Sequence, residues 1–172
     1  MPNVKGMEER HRDEFRLTFA AFTPQKTAVL GIIMVGSRVL LIRKKRGLGV
    51  GKLVPPGGHV EAGEQPSAAC IRELEEELRI TPTSPCERGI IDFQFRSGLA
   101  MRVHVFLSSA FTGRETETDE AVPVWCDHAA LPYSEMWQDD PFWLPHVLGG
   151  RSVRAQFLFD DDAMLFGEVE VY

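Results

Sequence analysis

The stretch GHVEAGEQPSAACIRELEEELRI, residues 58–80, decides the fold of this chain. Its apolar residues recur at the spacing of one helical face: Ala69, Cys70, Leu74 and Leu78. That spacing predicts an amphipathic helix, and Pro66 is tolerated in the first turn because its missing N–H has no helical partner there. Pro82 and Pro85 forbid the helix from continuing. The segment therefore predicts one strong helix shortly after a double glycine.

Three glutamates stand close together on this predicted helix. Glu73, Glu76 and Glu77 occupy positions i, i+3 and i+4, so their carboxylates project from one face. Carboxylates this close repel one another unless a cation lies between them, and oxygen ligands favour hard ions such as Mg²⁺ or Mn²⁺. Arg72 can pair with Glu76 one turn along or fold back to Glu64. The alternative is an exposed glutamate-rich helix that Arg72 stabilises.

The charges are unevenly distributed along the sequence. The formal net charge is −6, from 25 acidic and 19 basic residues, and this balance disfavours a general nucleic-acid binder. Residues 26–60 contain seven Lys or Arg and neither Asp nor Glu, whereas residues 57–80 contain six Glu against two Arg. A basic stretch that runs into an acidic cluster indicates a site that handles both phosphate and metal cations. Two solvated faces are the alternative.

Strand patterns flank the helix on both sides. Before it, residues 27–34 and 38–44 are joined by a short turn, and residues 47–58, rich in Gly and Pro, form a long irregular loop. After it, residues 89–95 and 101–107 alternate in polarity, as half-buried antiparallel strands do. A short strand, a short helix and a closing hairpin follow, at residues 122–126, 141–149, and 153–159 with 164–172. Together they predict an α+β fold with a mixed β-sheet packed between helices.

Length and composition bound the remaining possibilities. At 172 residues the chain fits one ordinary domain, with residues 1–25 as an N-terminal extension that contains one short helix. No apolar run reaches the roughly 18–20 residues that a membrane span needs, and residues 1–15 are too charged for a signal peptide. Cys70, Cys86 and Cys126 lack C-x-x-C spacing, and their odd number suits a reduced compartment. We therefore expect a cytoplasmic protein without a membrane partner.

The helix segment resembles the signature of the Nudix hydrolase family, G-x5-E-x7-R-E-U-x-E-E-x-G-U, where U is a bulky aliphatic residue. Every defined position except the late glycine is matched: Gly58, Glu64, Arg72, Glu73, Leu74, Glu76, Glu77 and Ile80. Arg79 stands where the family has that glycine, and a non-glycine residue there costs about 1 kcal/mol if the backbone must be left-handed. The resemblance implies a Nudix fold and a Nudix hydrolase domain over residues 26–172.

The resemblance also implies metal-assisted hydrolysis of a nucleoside diphosphate linked to another group, with Mg²⁺ or Mn²⁺ as the cofactor. It assigns the metal to the Gly57 carbonyl and the carboxylates of Glu73, Glu76 and Glu77. Arg72 and Glu64 would orient these helix carboxylates. A further carboxylate from a later loop usually acts as ligand or base. Glu120 is the candidate, with Glu117 and Asp119 as fallbacks, and a plain solvated acidic turn is the alternative.

The resemblance continues outside the signature, toward family members that hydrolyse oxidised purine nucleoside triphosphates. The segments that carry it are KKRGLGVGK at 44–52, MRVHVF at 101–106, TDEAVPVW at 118–125 and MWQDDPFWLP at 136–145. It implies that Trp137, Asp139 and Asp140 line a base pocket. A tryptophan offers a flat apolar face to a purine, and two neighbouring acids in a closed pocket can share one proton. The alternative is that Trp137, Phe142 and Trp143 are core aromatics.

Other positions of the implied substrate pocket are only partly kept. Phe93 and Met101 keep apolar pocket positions, and Lys44 is a candidate for contact with phosphate. Val54, also in this pocket, stands where the resemblance implies an asparagine that reads the base edge, and Leu48 replaces an aromatic residue. Valine can neither donate nor accept a hydrogen bond, and losing a buried polar contact can shift substrate preference by orders of magnitude. Recognition of 8-oxoguanine in particular is therefore not implied.

The resulting hypothesis is a Nudix pyrophosphohydrolase that cleaves a ribo- or deoxyribonucleoside triphosphate with an oxidised or noncognate purine to the monophosphate and pyrophosphate. Two alternatives stay open. Val54 favours a pyrophosphatase for a nucleotide sugar, a dinucleoside polyphosphate or another diphosphate. Arg79 favours a non-catalytic Nudix module that senses a nucleotide. The expected partner is a small nucleotide rather than a nucleic acid, and the expected state is a monomer or a weak homodimer.

Overall fold

A nine-stranded sheet of mixed parallel and antiparallel pairs forms the centre of the fold, as the computed structural model shows for residues 10–172. The helices are α1 (Arg10–Ala20), α2 (Pro66–Leu78) and α3 (Asp140–Leu148). The strands are β1 (Lys26–Val35), β2 (Arg38–Lys44), β3 (Leu53–Val54), β4 (Gly57–His59), β5 (Ile80–Pro82), β6 (Cys86–Phe95), β7 (Ala100–Ser108), β8 (Phe111–Gly113), β9 (Ala121–Asp127), β10 (Val153–Asp160) and β11 (Ala163–Val171). Single 3₁₀ turns at His128–Ala130 and Tyr133–Glu135 precede α3.

The order of strands in the sheet places distant parts of the chain side by side. The main path runs β11-β10-β6-β7-β1-β2-β3, with β4 also paired to β1 and β9 to β2. Parallel pairing joins β1 to β7 and β6 to β10, and the other pairs of this sheet are antiparallel. Strands β5 and β8 form a separate two-stranded ribbon. As a result, β10 lies beside a strand from the middle of the chain.

Alternating residues of the central strands divide the core between two faces of the sheet. On β2, Val39 and Leu41 belong to a cluster that contains Trp143 of α3. Leu40 and Ile42 belong instead to a second cluster, which includes the buried face of α2. Because successive side chains of a strand point to opposite faces, the sheet is packed between these helices. The expected α+β architecture with a mixed sheet is confirmed.

Helix α1 adds a third, smaller cluster at the β10–β11 side of the sheet. Phe15 packs with Leu158 of β10 and Phe166 of β11, and the ring centroids of Phe15 and Phe166 are 4.9 Å apart. This is the short helix expected within residues 1–25, of which residues 1–9 lie outside the described part of the chain. The domain boundary at residue 26 stays a prediction. Within residues 10–172, none of the helices combines the length and apolar character that crossing a bilayer requires.

Helix α2 has the ends that the sequence predicts. Pro66 lies in its first turn, and the helix stops at Leu78. Arg79 then adopts a left-handed conformation with φ 63° and ψ 32°, and its N–H donates to the Glu75 carbonyl at 3.1 Å. This is the position at which the Nudix signature has glycine. The chain therefore makes the same left-handed turn with a residue that carries a Cβ atom.

Replacing Arg79 by glycine is expected to stabilise the protein by about 1 kcal/mol, because glycine adopts the left-handed conformation without a steric penalty. Urea unfolding would measure the change as a shift in the midpoint at constant m-value. Arg79→Ala is the matched control, since alanine keeps the Cβ atom and should give no such gain. A midpoint for Arg79→Gly at or below the wild-type value would contradict the prediction.

The expectation of one irregular loop over residues 47–58 is wrong in part. Strand β3 pairs with β2, and strand β4 pairs with β1. Each is too short to show a strand pattern, and the intervening Pro55 and Pro56 have no N–H to donate. The two strands form because the longer strands offer them free backbone partners. The sequence patterns also do not predict the ribbon β5–β8. The strands that they do predict, and the helix near residues 141–149, are confirmed with small differences at their ends.

Candidate active site

One cavity of about 520 Å³ collects nearly all the candidate residues. Its polar part includes Gly57, Lys44, Arg72 and four acids that we call the carboxylate cluster: Glu73, Glu76, Glu77 and Glu120. Its apolar part, which we call the aromatic pocket, is formed by Trp137, Phe93, Phe95, Met101 and Phe159. Val54 and the acid pair Asp139 and Asp140 also line the cavity. Apart from the two fallback acids, Glu64 is the one predicted site residue outside this lining, and it is hydrogen-bonded to Arg72.

The double glycine lets strand β4 approach helix α2 closely. A Cβ atom on Gly58 would overlap the carboxylate of Glu73, and one on Gly57 would overlap the Val29 carbonyl. Because no side chain is present at either position, the Gly57 N–H reaches Glu77 and donates to its Oε2 atom at 3.2 Å. The double glycine, of which Gly58 belongs to the signature, thus places strand backbone directly against two carboxylates.

Arg72 ties the glutamates of the helix to the preceding loop. Its Nε and Nη2 atoms donate to the two carboxylate oxygens of Glu64 at 2.8 and 2.9 Å, and Nη2 also donates to the His59 carbonyl at 2.9 Å. Its Nη1 atom donates to Glu73 at 2.8 Å and to Glu76 at 3.2 Å. Both pairings that the sequence left open are therefore present. The hydrogen bonds from Arg72 lower the pKa of Glu64 to about 2, so this carboxylate stays ionised.

Glu77 is the most deeply buried member of the carboxylate cluster, with 4% of its surface exposed. Burial raises its pKa to about 8, and the negative charges of Glu73 and Glu120 act in the same direction. Burial also raises the pKa of Glu73, although its hydrogen bond with Arg72 acts against this. A nearby cation would favour the ionised form of such buried carboxylates.

The loop before β9 carries Glu120 to the end of helix α2. Thr118 Oγ1 donates to the Glu77 carbonyl at 2.8 Å, which fastens the loop to the last turn of the helix. The antiparallel pairing of β9 with β2 begins directly after Glu120 and fixes its backbone. Its side chain lines the cavity and forms an ion pair with Arg46. Glu120 is therefore the acid that this loop adds to the cluster.

The two fallback acids of this loop lie outside the cavity lining. Glu117 is exposed, and its Oε1 atom accepts a hydrogen bond from Lys45 Nζ at 2.5 Å. Lys45 Nζ also donates to the Thr118 carbonyl at 2.7 Å. Asp119 is exposed as well. The interpretation as a solvated acidic turn thus applies to Glu117 and Asp119 and not to Glu120.

Trp137 is the main wall of the aromatic pocket. Its ring meets that of Phe159 edge-on, with centroids 5.6 Å apart and an interplanar angle of 90°, and that of Phe95 at 6.3 Å and 73°. Lys52 Nζ lies 4.9 Å from the centroid of the Trp137 ring. Gly49 passes the ring edge so closely that a Cβ atom would lie 2.9 Å from the indole nitrogen. These contacts hold the ring in place while it lines the cavity.

Asp139 and Asp140 are buried at the start of α3, with 2% and 3% of their surfaces exposed. Asp139 Oδ2 accepts a hydrogen bond from Trp143 Nε1 at 2.9 Å, and Asp140 Oδ2 accepts one from Trp137 N at 3.1 Å. Burial raises the pKa of both acids, and the charge of Asp139 raises the pKa of Asp140 further. The pair therefore resists losing both protons. Trp143 is a fully buried core aromatic, as the alternative interpretation expected, and it lines the cavity together with Trp137.

Among the lining residues that sequence reasoning missed are Phe95, Phe159 and Arg46. Phe95 could have been found, because it lies two residues after Phe93 on β6 and shares its face. Phe159 reaches the pocket through the parallel pairing of β10 with β6, which no local pattern encodes. Arg46 belongs to the basic stretch, but nothing in the sequence distinguishes it from the neighbouring lysines.

The donor set of the carboxylate cluster suits a hard divalent cation, because it consists of oxygen atoms alone. It includes the buried Glu77 carboxylate, which accepts a hydrogen bond from the Gly57 N–H rather than from a Lys or Arg side chain. Within residues 10–172, no three acidic, histidine or cysteine side chains are already gathered around one metal position. Arg72 binds Glu73 and Glu76, and Arg46 binds Glu120. A bound cation would therefore share three of these carboxylates with arginine side chains.

Comparisons with known proteins point to one family. The family model for the NUDIX domain matches residues 24–147. The oxidized purine nucleoside triphosphate hydrolase of Danio rerio is 38% identical over 135 residues, which cover 78% of this chain and 86% of that protein. The protein of the same name from Mus musculus is 35% identical over 133 residues, covering 77% and 85%. The solved structure of a MutT protein from Bacillus halodurans has a TM-score of 0.76 at 26% identity and covers 84% of this chain and 97% of that one.

Proposed function

Because this chain belongs to the Nudix hydrolase family, we propose that it hydrolyses a purine nucleoside triphosphate whose base is oxidised or noncognate. The products are the nucleoside monophosphate and pyrophosphate. The observation that carries the proposal is a single cavity that joins the carboxylate cluster to an aromatic pocket with a buried acid pair. The phosphate chain and the base of one nucleotide can occupy these two parts together. The relatives from Danio rerio and Mus musculus are named for this substrate class.

The carboxylate cluster is the part that processes phosphate. We assign Mg²⁺ or Mn²⁺ to the following donors: the Gly57 carbonyl, Glu73, Glu76, Glu77 and Glu120. When bound, such an ion neutralises phosphate oxygens and lowers the pKa of a water molecule. Glu120, held beside the helix by its loop, can alternatively accept the proton of the attacking water.

The remaining polar residues of the cavity orient the reacting groups. Arg72 bridges Glu64 to Glu73 and Glu76, which fixes the direction of the helix carboxylates. Glu64 stays ionised and so keeps Arg72 in place. Lys44 lines the same cavity and presents a positive charge to the phosphate chain. These residues supply orientation and charge, while the cluster supplies the donors.

The aromatic pocket is the part that selects the base. The ring of Trp137 offers a stacking surface, and Phe93 and Met101 cover the purine with apolar groups. The acid pair with one proton left can donate one hydrogen bond and accept another at the base edge. Val54 is 7% exposed and contributes apolar contact only, so the acid pair carries the polar recognition.

Val54 also supports a second candidate function, the hydrolysis of another compound that contains a nucleoside diphosphate. A substrate panel separates the candidates when the nucleoside monophosphate product is quantified by chromatography, because ADP-ribose would yield AMP and ribose 5-phosphate rather than pyrophosphate. The panel comprises 8-oxo-dGTP, 2-oxo-dATP, dITP, dGTP and ADP-ribose. We expect the highest kcat/KM for one of the altered purine triphosphates. A preference for ADP-ribose would overturn the proposal in favour of the second function. Nucleotide binding without any hydrolysis in Mg²⁺ would instead indicate a sensing module.

Trp137→Ala is expected to raise KM for the preferred purine triphosphate about ten- to hundredfold, because the stacking surface for the base is lost. The expected kcat stays within about threefold of wild type, since the carboxylate cluster is unchanged. Steady-state kinetics would measure both constants. Trp125→Ala is the control, because Trp125 stacks on Phe111 and does not line the cavity. Equal rises of KM in the two variants would refute the assigned stacking role.

The proposal extends to the location and assembly of the enzyme. We place the catalytic domain at residues 26–172, with residues 1–25 as an extension. The cysteines at positions 70, 86 and 126 are free thiols, which suit the reducing cytoplasm. Both parts of the cavity are built from one chain, so we expect a monomer or a weak homodimer to be active.

A further inference from the structure

The ion pair between Arg46 and Glu120 of the carboxylate cluster has no role in the function proposed so far. Arg46 Nη2 contacts Glu120 Oε1, and both side chains line the cavity. Arg46 follows β2 and Glu120 precedes β9, and the antiparallel register of these strands ends with Lys44 opposite Ala121. Just beyond the ladder, the Lys45 N–H donates to the Glu120 carbonyl at 2.9 Å. Arg46, the next residue, therefore lies within reach of the Glu120 side chain.

Arg46 is held much less firmly than Arg72, the other arginine of the cavity lining. Arg72 binds three carboxylates and a backbone carbonyl, and 25% of its side chain is exposed. Within residues 10–172, Arg46 binds Glu120 alone, and 66% of its side chain is exposed. An exposed ion pair between flexible side chains is weak and readily exchanged. Arg72 is thus a fixed part of the site, whereas Arg46 is free to change partner.

We propose that Arg46 is an exchangeable counter-ion for Glu120, a role that rests on the proposed function. Arg46 neutralises Glu120 while the carboxylate cluster holds no divalent cation. It turns to the phosphate chain of the nucleotide once Glu120 is engaged by a cation. Both partners present anionic oxygens, which a guanidinium group binds with similar geometry. The arginine therefore balances negative charge in both states of the site.

The exchange has opposite consequences for the two ligands. Before the nucleotide binds, Arg46 competes with the cation for the carboxylate of Glu120, so removing the arginine should strengthen cation binding. In the nucleotide complex, Arg46 supplies a charge-assisted hydrogen bond to phosphate, so removing it should weaken nucleotide binding. A merely structural role for Arg46 would not strengthen the binding of one ligand while weakening that of the other.

The first test is Mn²⁺ binding to Arg46→Gln, measured by isothermal titration calorimetry without nucleotide. We expect the Kd for Mn²⁺ to fall about two- to fivefold relative to wild type. In a Glu120→Gln background the same substitution should change Kd by less than about 1.5-fold, because its effect acts through Glu120. Arg114→Gln, which removes an exposed positive charge from the same loop outside the cavity lining, should leave Kd unchanged.

Three results of the binding experiment would overturn the exchange. The first is an unchanged or higher Kd in Arg46→Gln. The second is an equal fall of Kd in the Glu120→Gln background, and the third is an equal fall in Arg114→Gln, which would indicate a general effect of charge. Because two thirds of the Arg46 side chain is exposed, we expect Arg46→Gln to fold, and an unchanged unfolding midpoint would verify this.

The second test is steady-state kinetics at saturating Mg²⁺. We expect KM of Arg46→Gln for the preferred nucleotide to rise about tenfold, with kcat within about threefold of wild type. An unchanged KM would overturn the exchange, because Arg46 would then not reach phosphate. Wild-type protein that neither binds Mn²⁺ nor releases pyrophosphate would contradict the proposed function itself. If the wild type is active but Arg46→Gln changes neither the Kd for Mn²⁺ nor KM for the nucleotide, the exchange alone is contradicted.

Discussion

Glu77→Gln is expected to reduce metal-dependent pyrophosphate release about 10³-fold or more while the protein stays folded. The amide has nearly the same size as the carboxylate, and its oxygen can still accept the hydrogen bond from Gly57 N. It brings no negative charge, however, so under the proposed function the cluster loses its most buried anionic ligand for the cation. Measurement of kcat in Mg²⁺, together with circular dichroism, tests both parts. Retention of more than about a tenth of the wild-type rate would contradict the assigned role.

Glu75→Gln on the same helix is the matched control for this substitution. Glu75 is exposed, accepts a hydrogen bond from Thr81 Oγ1 at 2.8 Å and does not line the cavity. The same exchange of carboxylate for amide on α2 should therefore leave kcat within about twofold of wild type. A large loss in both variants would indicate an effect on the helix as a whole rather than on the cluster.

The same Glu77 substitution should stabilise the metal-free protein at alkaline pH. Burial raises the pKa of Glu77 from 4.5 to about 8, so the folded state binds this proton more tightly than the unfolded chain does. The contribution of Glu77 to the free energy of unfolding must then fall as pH rises from about 4.5 to 8. Glu77→Gln lacks this group and should show a higher Tm than wild type at pH 8 in EDTA, with little difference near pH 4. An unaltered pH dependence in the variant would exclude Glu77 as its source.

Asp139→Asn and Asp140→Asn are each expected to lower kcat/KM for the preferred purine triphosphate about 10²-fold, mainly through KM. Each amide keeps the size of the acid but cannot share a proton with its neighbour, so one polar atom of the buried base edge loses its partner. Pyrimidine triphosphates, which do not depend on this pairing, should lose much less. The measurement is the ratio of kcat/KM values for the two kinds of base. An unchanged ratio would remove the acid pair from base selection.

The pH dependence of kcat/KM gives a second readout of the acid pair. Burial raises the pKa of Asp139 to about 7, and burial together with the charge of Asp139 raises the pKa of Asp140 well above its ordinary value. The state with one proton therefore exists above the lower and below the higher of the two pKa values, and it alone offers both a donor and an acceptor. We expect a bell-shaped profile for wild type and the loss of at least one limb in each Asn variant. Mn²⁺ binding should stay normal, because neither acid belongs to the carboxylate cluster.

The carboxylate cluster is more predictable from the sequence than the aromatic pocket. Glu73, Glu76 and Glu77 share a face because of the helical period, and their relation to Arg72 follows from the same spacing. These relations lie within one helix and need no knowledge of the sheet. The pocket, in contrast, depends on Phe159, which approaches β6 only through a parallel pairing between distant segments. Local periodicity contains no information on that pairing.

Besides the pairing of distant strands, residue spacing does not predict which polar side chains are buried. Acidic residues at a helix start are ordinary, since they interact favourably with the positive end of the helix dipole. The pair at 139 and 140 becomes unusual only because the packing of α3 removes both carboxyl groups from water. The strands β3 and β4 escaped prediction for a related reason, because tertiary pairing rather than intrinsic preference forms them. The contact of Arg46 with Glu120 likewise requires the register of β2 with β9.

The parallel pairing of β10 with β6 also bears on how this enzyme is made. Ribosomes synthesise a chain from its N-terminus, so the carboxylate cluster has been translated in full once Glu120 is added. The aromatic pocket lacks a wall until Phe159 has followed and β10 has docked beside β6. A substrate must be recognised before it is cleaved, yet under the proposed function the nascent chain completes its set of cleaving groups before its set of recognising groups. Selectivity is the last property to be completed during translation.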